Sequence, residues 1–95
     1  MRIAGVMWRE QFVDKLLVKH GVYPDEVEDV LFGRSRFRRI ARGHTHGEDV
    51  YEALGQTASG RHLIVIFLWK AGGEALVISA RDMSDTERRR YGNQR

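Results

Sequence analysis

Apolar residues recur at helical spacing in the first third of the chain. The apolar positions within residues 12–17 predict a helix over about residues 9–20, and Gly21 supplies the left-handed residue that commonly ends such a helix. A second amphipathic stretch starts at Pro24, where proline suits a first helical turn, and stops at Gly33. The pattern therefore predicts a hairpin of two short helices.

The period of the apolar positions changes in the second half of the chain. Residues 50–55 alternate loosely, whereas residues 61–69 (RHLIVIFLW) are mostly apolar at consecutive positions, as expected of a central strand covered on both faces. The small residues 71–73 predict a hairpin turn, and residues 75–80 (ALVISA) predict the returning strand. This half of the chain therefore predicts antiparallel strands.

Two further segments complete the predicted order. Ser84 and Glu87 have the spacing of a capping box, which predicts a helix that runs to about Tyr91. Residues 37–42 (FRRIAR) could form an edge strand whose arginines limit strand pairing, and residues 43–47 (GHTHG) indicate a flexible turn. We expect an α+β fold with a weak first strand, the helical hairpin, three or four antiparallel strands and a C-terminal helix.

The composition is typical of a small folded protein. Its 42% apolar and 9% aromatic residues exclude a disordered chain, and 95 residues leave room for one core, so we expect a single domain over residues 1–95. The chain has no cysteine, which excludes disulfides and thiolate zinc sites and fits a reducing compartment. No stretch predicts a signal peptide or a membrane helix. We expect a soluble, cytoplasmic protein.

Positive charge is concentrated in arginine clusters. The net charge is +3, and arginines gather in residues 34–42 and 88–90, whereas acidic groups gather in residues 25–29 and 48–52. Clustered arginine supplies the charge and the paired donors that phosphodiesters need, which slightly favours a nucleic-acid partner. The same arginines would equally suit an acidic protein partner or maintain solubility.

Motifs for metals, phosphate loops and nucleophiles are absent from the sequence. His44 and His46 would share one face of a strand, but no matching His or Cys pair completes a ligand set, so we expect a solvated loop and no metal site. The segment GQTASGR lacks the lysine of a P-loop, and no G-x-S-x-G motif is present. We therefore expect no cofactor.

Four basic residues form a candidate catalytic set. Arg81 ends the last predicted strand, Arg61 begins the central strand, and an antiparallel hairpin brings both to the same end of the sheet, while Lys19 and His20 end a helix. RNA cleavage without a metal needs a base for the 2′-hydroxyl proton, cations for the charged phosphorane and assistance to the leaving 5′-oxygen. His20 could act as base or acid, and the other three could hold the phosphate.

Each candidate also has a purely structural interpretation, which is favoured for each residue taken singly. Trp8, Trp69 and Tyr91 could stack on bases, although Trp69 ends an apolar strand and fits the core better. Residues 88–90 could be a solvated helix face, and His20 could satisfy the last carbonyls of its helix.

Three blocks in a fixed order carry a family resemblance. They are W…KHGV…P-x-EVEDVLF, YEALGQTASGRHLIVIFLW and VISARDMSDTERRRY, and they leave out little beyond residues 33–48. Together they resemble the BrnT family of bacterial ribonuclease toxins. The S-A-R strand end followed by E-R-R-x-Y is the most specific block, and KHGV is the second anchor. Family members commonly begin with W-D, whereas here Arg9 follows Trp8.

The resemblance implies a RelE-like fold, in which a twisted antiparallel sheet is packed by the N-terminal helical hairpin and the C-terminal helix. It also implies a metal-independent endoribonuclease that inhibits translation and growth. A cognate antitoxin would neutralise it, and the assembly would be a homodimer or a toxin–antitoxin heterotetramer. The alternative is a non-catalytic RNA-binding or antitoxin-binding module of the same fold.

The residues that match the family motifs fall into two groups. We expect four of them to be catalytic: Lys19, His20, Arg61 and Arg81. We expect the C-terminal helix, together with the N-terminal tryptophan, to bind RNA through Trp8, Glu87, Arg88, Arg89 and Tyr91.

Overall fold

The computed structural model describes residues 1–43 and 48–93, and its elements follow the predicted order. In chain order they are β1 (Gly5–Met7), α1 (Glu10–His20), α2 (Pro24–Phe32), β2 (Arg36–Ala41), β3 (Asp49–Gln56), β4 (His62–Trp69), β5 (Glu74–Asp82) and α3 (Asp85–Asn93). This order confirms the expected α+β class. Among the described helices, none is long and apolar enough to cross a membrane. The turn predicted at residues 43–47 lies, apart from its first residue, outside the described residues.

The five strands of the described residues form one mixed sheet in the order β1-β5-β4-β3-β2. The strands from β2 to β5 pair antiparallel, as predicted. β1 joins β5 in parallel, with Met7 opposite Leu76, a pairing that the local pattern does not predict. β4 occupies the centre of the sheet, which explains why its apolar residues serve both faces.

The helical hairpin of α1 and α2 packs on one face of the sheet, here called the hairpin face. Val27 of α2 meets Val65 and Phe67 of β4 in its core, and all three are fully buried. Trp69 packs against the same cluster, edge-on to Tyr51 at a ring-centroid distance of 5.4 Å. Trp69 therefore contributes to packing, in line with its structural interpretation.

α3 lies on the opposite face, here called the α3 face. Leu54, Ile64 and Met83 form a small buried cluster on this face, and Tyr91 of α3 packs against it. Because alternate residues of a strand point to opposite faces, the even-numbered residues of β3 and β4 lie on the α3 face. The side chains that α3 meets are therefore set by strand register.

A β-bulge in β5 decides which face Arg81 occupies. Opposite the step from Ile66 to Phe67, the register of β5 shifts by one residue, so that Ile78 is the extra residue. Without the bulge, simple alternation would place Arg81 on the hairpin face. With it, Arg81 lies on the α3 face and Asp82 on the hairpin face.

Hydrogen bonds of the expected kind are present at the helix boundaries that the sequence predicts. Gly21 adopts a left-handed φ of 61°, and its N–H donates to the carbonyl of Leu17 at 2.9 Å. Ser84 and Glu87 form the predicted capping box, since the Ser84 N–H donates to Glu87 at 2.8 Å and the Glu87 N–H donates to Ser84 Oγ at 3.2 Å. The capping box fixes where α3 begins, directly after the end of β5.

Candidate active site

Arg81 lies at the end of β5, opposite Ile64 of β4. Its guanidinium donates hydrogen bonds of 2.8 and 2.9 Å to the two carboxylate oxygens of Glu87, and one of 3.1 Å to the carbonyl of Asp82. These bonds use three of the five donors that an arginine carries. The side chain is also 45% exposed. Arg81 is thus held firmly and keeps two donors for a further acceptor.

Glu87 positions Arg81 and caps α3 at the same time. The hydrogen bonds from Arg81, with a smaller contribution from Ser84, outweigh the effect of burial and lower the pKa of Glu87 from 4.5 to about 2. The carboxylate is therefore ionised across the physiological pH range. The Arg81–Glu87 pair has a net charge of zero, but it fixes the position of the Arg81 guanidinium on the α3 face.

His62 presents an imidazole on the same face as Arg81. The two residues are diagonal neighbours on β4 and β5, and such neighbours lie about 7–8 Å apart. The His62 ring contacts Tyr91 of α3 edge-on, at a centroid distance of 5.8 Å. Burial, reinforced by the positive charge of Arg88, lowers the pKa of His62 below 6.5. His62 is therefore largely neutral at pH 7, which is the form that accepts a proton.

A buried carboxylate, Glu52, lies near the middle of the α3 face. It is 6% exposed, and it accepts hydrogen bonds from Arg38 of β2 at 3.4 Å and from Arg90 of α3 at 2.5 Å. Both arginines therefore share one carboxylate, which offsets one of their two positive charges. This network of three residues connects β2, β3 and α3 and stabilises the packing of α3 on the sheet.

Arg61 lies at the same end of the sheet as Arg81, but its guanidinium makes its contacts on the hairpin face. It donates to both carboxylate oxygens of Asp82 at 2.7 and 3.2 Å and to Glu26 at 3.1 Å. It also donates to the carbonyls of His20 and Gly21 at 3.0 and 2.9 Å. These contacts occupy all five of its donors. Arg61 therefore connects α1 and α2 to the ends of β4 and β5, and in this arrangement it has no donor left for a phosphate.

Lys19 and His20 lie in the last turn of α1, on the hairpin side of the sheet. Lys19 is exposed, and His20 interacts electrostatically with Asp82. Asp82 and Arg81 are consecutive but point to opposite faces. The structure therefore places the KHGV residues behind the strand end that carries Arg81, instead of beside its guanidinium.

The predicted RNA-binding residues are divided between the two faces. Trp8 packs against the hairpin-face core and donates its indole N–H to Glu28 at 3.4 Å. Arg89 donates to Thr86 of its own helix at 3.2 Å. The remaining members of the predicted RNA-binding set are Glu87, Arg88 and Tyr91 of α3, and they lie on the α3 face near the predicted catalytic residue Arg81.

Sequence reasoning missed two residues of this face, His62 and Glu52. Both occupy even-numbered positions on strands whose odd-numbered residues face the hairpin. A polar residue at such a position is a signal once the register is known, which pairs Glu52 with Ile66 and His62 with Gln56. The register comes from long-range pairing, so the sequence alone did not reveal it.

No cluster of His, Cys, Asp or Glu that could hold a metal ion occurs among residues 1–43 and 48–93. The His44 and His46 pair lies outside the described residues. The groups available for chemistry on the α3 face are thus cations, an imidazole and carboxylates that are already paired with arginine.

Comparison with known proteins identifies the family. Residues 8–87 match the family described as "Ribonuclease toxin, BrnT, of type II toxin-antitoxin system". The chain belongs to the BrnT family. This match confirms the resemblance seen in the sequence and the expected assignment to ribonuclease toxins. Membership in a type II system implies a protein antitoxin as partner and RNA as substrate.

The fold is shared with a solved BrnT structure. The 1.1 Å crystal structure of the Brucella abortus ribonuclease toxin BrnT superposes with a TM-score of 0.61 at 24% sequence identity, covering 85% of this chain and 97% of that one. At this identity the likeness shows that the two BrnT-family proteins have the same fold. No curated protein matches the chain.

Proposed function

We propose that this BrnT-family protein cleaves RNA internally on its α3 face, with Arg81, Arg88 and His62 carrying the chemistry. One observation supports the proposal above the others. Arg81 is held by Glu87 with two donors left over, next to an imidazole whose pKa is lowered. Preorganised cations beside a neutral base are what internal phosphodiester cleavage requires.

The chemistry follows from the groups on this face. His62 takes the proton of the ribose 2′-hydroxyl, and the 2′-oxygen attacks the adjacent phosphorus. Arg81 and Arg88 stabilise the negative charge that grows on the non-bridging oxygens. The bond between phosphorus and the 5′-oxygen breaks, the 5′-oxygen takes a proton from solvent, and His62 releases its proton to solvent. The products are a 2′,3′-cyclic phosphate and a 5′-hydroxyl end.

The KHGV residues take a different part in this proposal. Lys19 is exposed on the neighbouring side of the same sheet end, where its charge attracts the RNA backbone. The main-chain carbonyl of His20 is held by Arg61, so the contact fixes the end of α1. Arg61 therefore acts as a positioning residue, and Trp8 and Arg89 add contact surface outside the reacting group.

The cellular role follows from family membership. We propose that residues 1–95 act as one domain in the cytoplasm, where cleavage of RNA inhibits translation until a cognate antitoxin binds. Light scattering of the co-expressed pair would decide between a homodimer and a toxin–antitoxin heterotetramer.

Cleavage of a fluorescent RNA oligonucleotide by the purified protein, in buffer containing EDTA, tests the proposed chemistry. We expect cyclic-phosphate ends from the parent protein, and a loss of kcat/KM of about 100-fold or more in Arg81→Ala because a stabilising cation is removed. Arg81→Lys should lie between the two. Arg2→Ala, which removes an exposed arginine at the opposite end of the chain, serves as the matched control.

A second pair of variants tests where the base lies. His62→Gln should lose most activity, whereas His20→Gln should keep it, and circular dichroism would confirm that both are folded. Loss of activity in His20→Gln alone would move the site to the hairpin side of the sheet. Intact RNA after incubation with the parent protein, or an Arg81→Ala variant as active as the parent, would refute the enzymatic proposal.

A further inference from the structure

A polar groove runs between β2 and α3 on the α3 face, and it is here called the β2–α3 groove. It has a volume of about 570 Å³. Its walls are formed by Arg34, Arg36 and Gln56 on one side and by Tyr91 and Gly92 on the other. The arginines of the groove come from the segment that lies outside the family motifs, whereas Gln56 and Tyr91 belong to the family blocks.

The strand pattern sorts the arginines of this segment by face. Arg36 and Arg38 point to the α3 face, and Arg34 lines the same groove as Arg36. Arg39 and Arg42 instead line a separate cavity beside Trp69. The arginine-rich segment formed by β2 and its flanking residues thus presents positive charge to two different surfaces.

The two groove arginines carry charge that their surroundings leave uncompensated. Within residues 1–43 and 48–93, the side chains of Arg34 and Arg36 form no hydrogen bond or ion pair. Their neighbour Arg38 is paired with Glu52, and Arg39 is paired with Asp49 at 3.3 Å. Uncompensated arginines in a groove are typical of a surface that binds an anionic chain.

The opposite wall of the groove is aromatic and leads to the proposed active site. The Tyr91 hydroxyl lies 3.4 Å from Gln56 Oε1, and the Tyr91 ring touches His62. Strand spacing in a sheet is about 4.8 Å, so β2 lies about 14 Å from β5, where Arg81 is. The groove is therefore within a few nucleotides of the scissile phosphate.

We propose that the β2–α3 groove binds the single-stranded RNA that flanks the cleavage site. Arg34 and Arg36 contact backbone phosphates, and the face of Tyr91 supports a base. Cations along one wall and an aromatic ring on the other are how proteins hold single strands without strict sequence preference. The inference rests on the proposed function for the identity of the ligand, but the binding step can be measured without cleavage.

Salt-dependent binding of a non-cleavable RNA tests the groove. The probe is a 2′-O-methyl 12-mer, measured by fluorescence anisotropy over a range of salt concentrations. Each phosphate contact to a single strand contributes about 0.7 to the slope of log affinity against log salt. We expect the double variant Arg34→Ala/Arg36→Ala to bind more weakly, with a slope smaller by about 1.4.

The matched control removes the same charge from the other surface of the same arginine-rich segment. Arg39→Ala/Arg42→Ala should retain the slope of the parent protein. Equal losses in the two double variants would mean that only the total charge matters, and this would overturn the inference. So would unchanged RNA binding in the groove variant together with weakened binding of the antitoxin, because the groove would then be a protein-binding surface.

Cleavage assays separate this inference from the proposed function. In the groove variant, kcat/KM should fall for a cleavable 12-mer but not for a dinucleotide, which reaches only the scissile position. If the parent protein binds RNA through the groove but cleaves no RNA, the proposed function is wrong and the inference that the groove binds RNA is retained. If the parent protein cleaves RNA and the groove variant cleaves both substrates as the parent does, the inference about the groove is wrong and the proposed function is retained.

Discussion

Arg61 and Arg81 stand at the same end of the sheet, yet their guanidinium groups serve opposite faces. Arg61 binds main-chain and side-chain oxygens of α1, α2 and β5, whereas Arg81 binds Glu87 of α3. The first has all five donors engaged and the second has two left. Two arginines that look equivalent in the sequence are thus a structural residue and a candidate phosphate ligand.

Replacing Arg61 should destabilise the fold. Arg61→Met leaves Asp82 and Glu26 without their partner and removes the donors to two carbonyls, so we expect a loss of about 2–4 kcal/mol in the free energy of unfolding. Urea denaturation measures this loss, with Arg2→Met as the control. A variant of unchanged stability that no longer cleaves RNA would instead return Arg61 to the catalytic set.

The ion pair of Arg81 and Glu87 should make stability depend on pH in the acid range. Because the pKa of Glu87 falls from 4.5 to about 2 on folding, its ionised form favours the folded state above about pH 4.5. That contribution is lost as the pH drops towards 2. Urea denaturation at pH 5 and pH 2 should show a smaller difference between the two pH values in Glu87→Gln than in the parent protein, and an equal difference would contradict the assignment.

The acid limb of the cleavage profile should report His62. Burial, together with the positive charge of Arg88, disfavours the protonated imidazole and lowers the pKa of His62, so we expect kcat/KM to rise with pH around a midpoint below 6.5. Arg88→Met should move that midpoint upward, because the protonated form of His62 is then less disfavoured. Arg89→Met, one residue further along α3, should leave the midpoint where it is. If Arg88→Met left the midpoint unchanged, His62 would be excluded as the base.

Gly55 should tolerate no side chain. An added Cβ would lie 2.1 Å from Ser35 Oγ, whose hydroxyl donates to the carbonyl of Val30 at 2.6 Å. We expect Gly55→Ala to cost about 1–3 kcal/mol of stability through overpacking. At Gly5 the nearest neighbour of an added Cβ is 3.7 Å away, so Gly5→Ala should cost less. Thermal unfolding of both variants compares them directly, and equal losses would show that Ser35 moves aside.

Much of the fold could be predicted from short-range signals. The apolar period gives α1 and α2, Gly21 ends the first helix, and Ser84 with Glu87 starts the last one. The uninterrupted apolar run of β4 indicates a central strand. These features depend on neighbours within a few residues, since helix periodicity and capping are local properties.

The site depended on contacts between distant segments. The bulge at Ile78 puts Arg81 on the α3 face, and the pairing of β4 with β5 makes His62 its neighbour. The bonds that engage Arg61 come from residues far away in the sequence. Side chains along a strand alternate between faces, so a shift of one residue exchanges the faces on which they lie. By itself the sequence determined the elements, their order and the family, whereas the tertiary structure decided which charges meet, because register is set by long-range pairing.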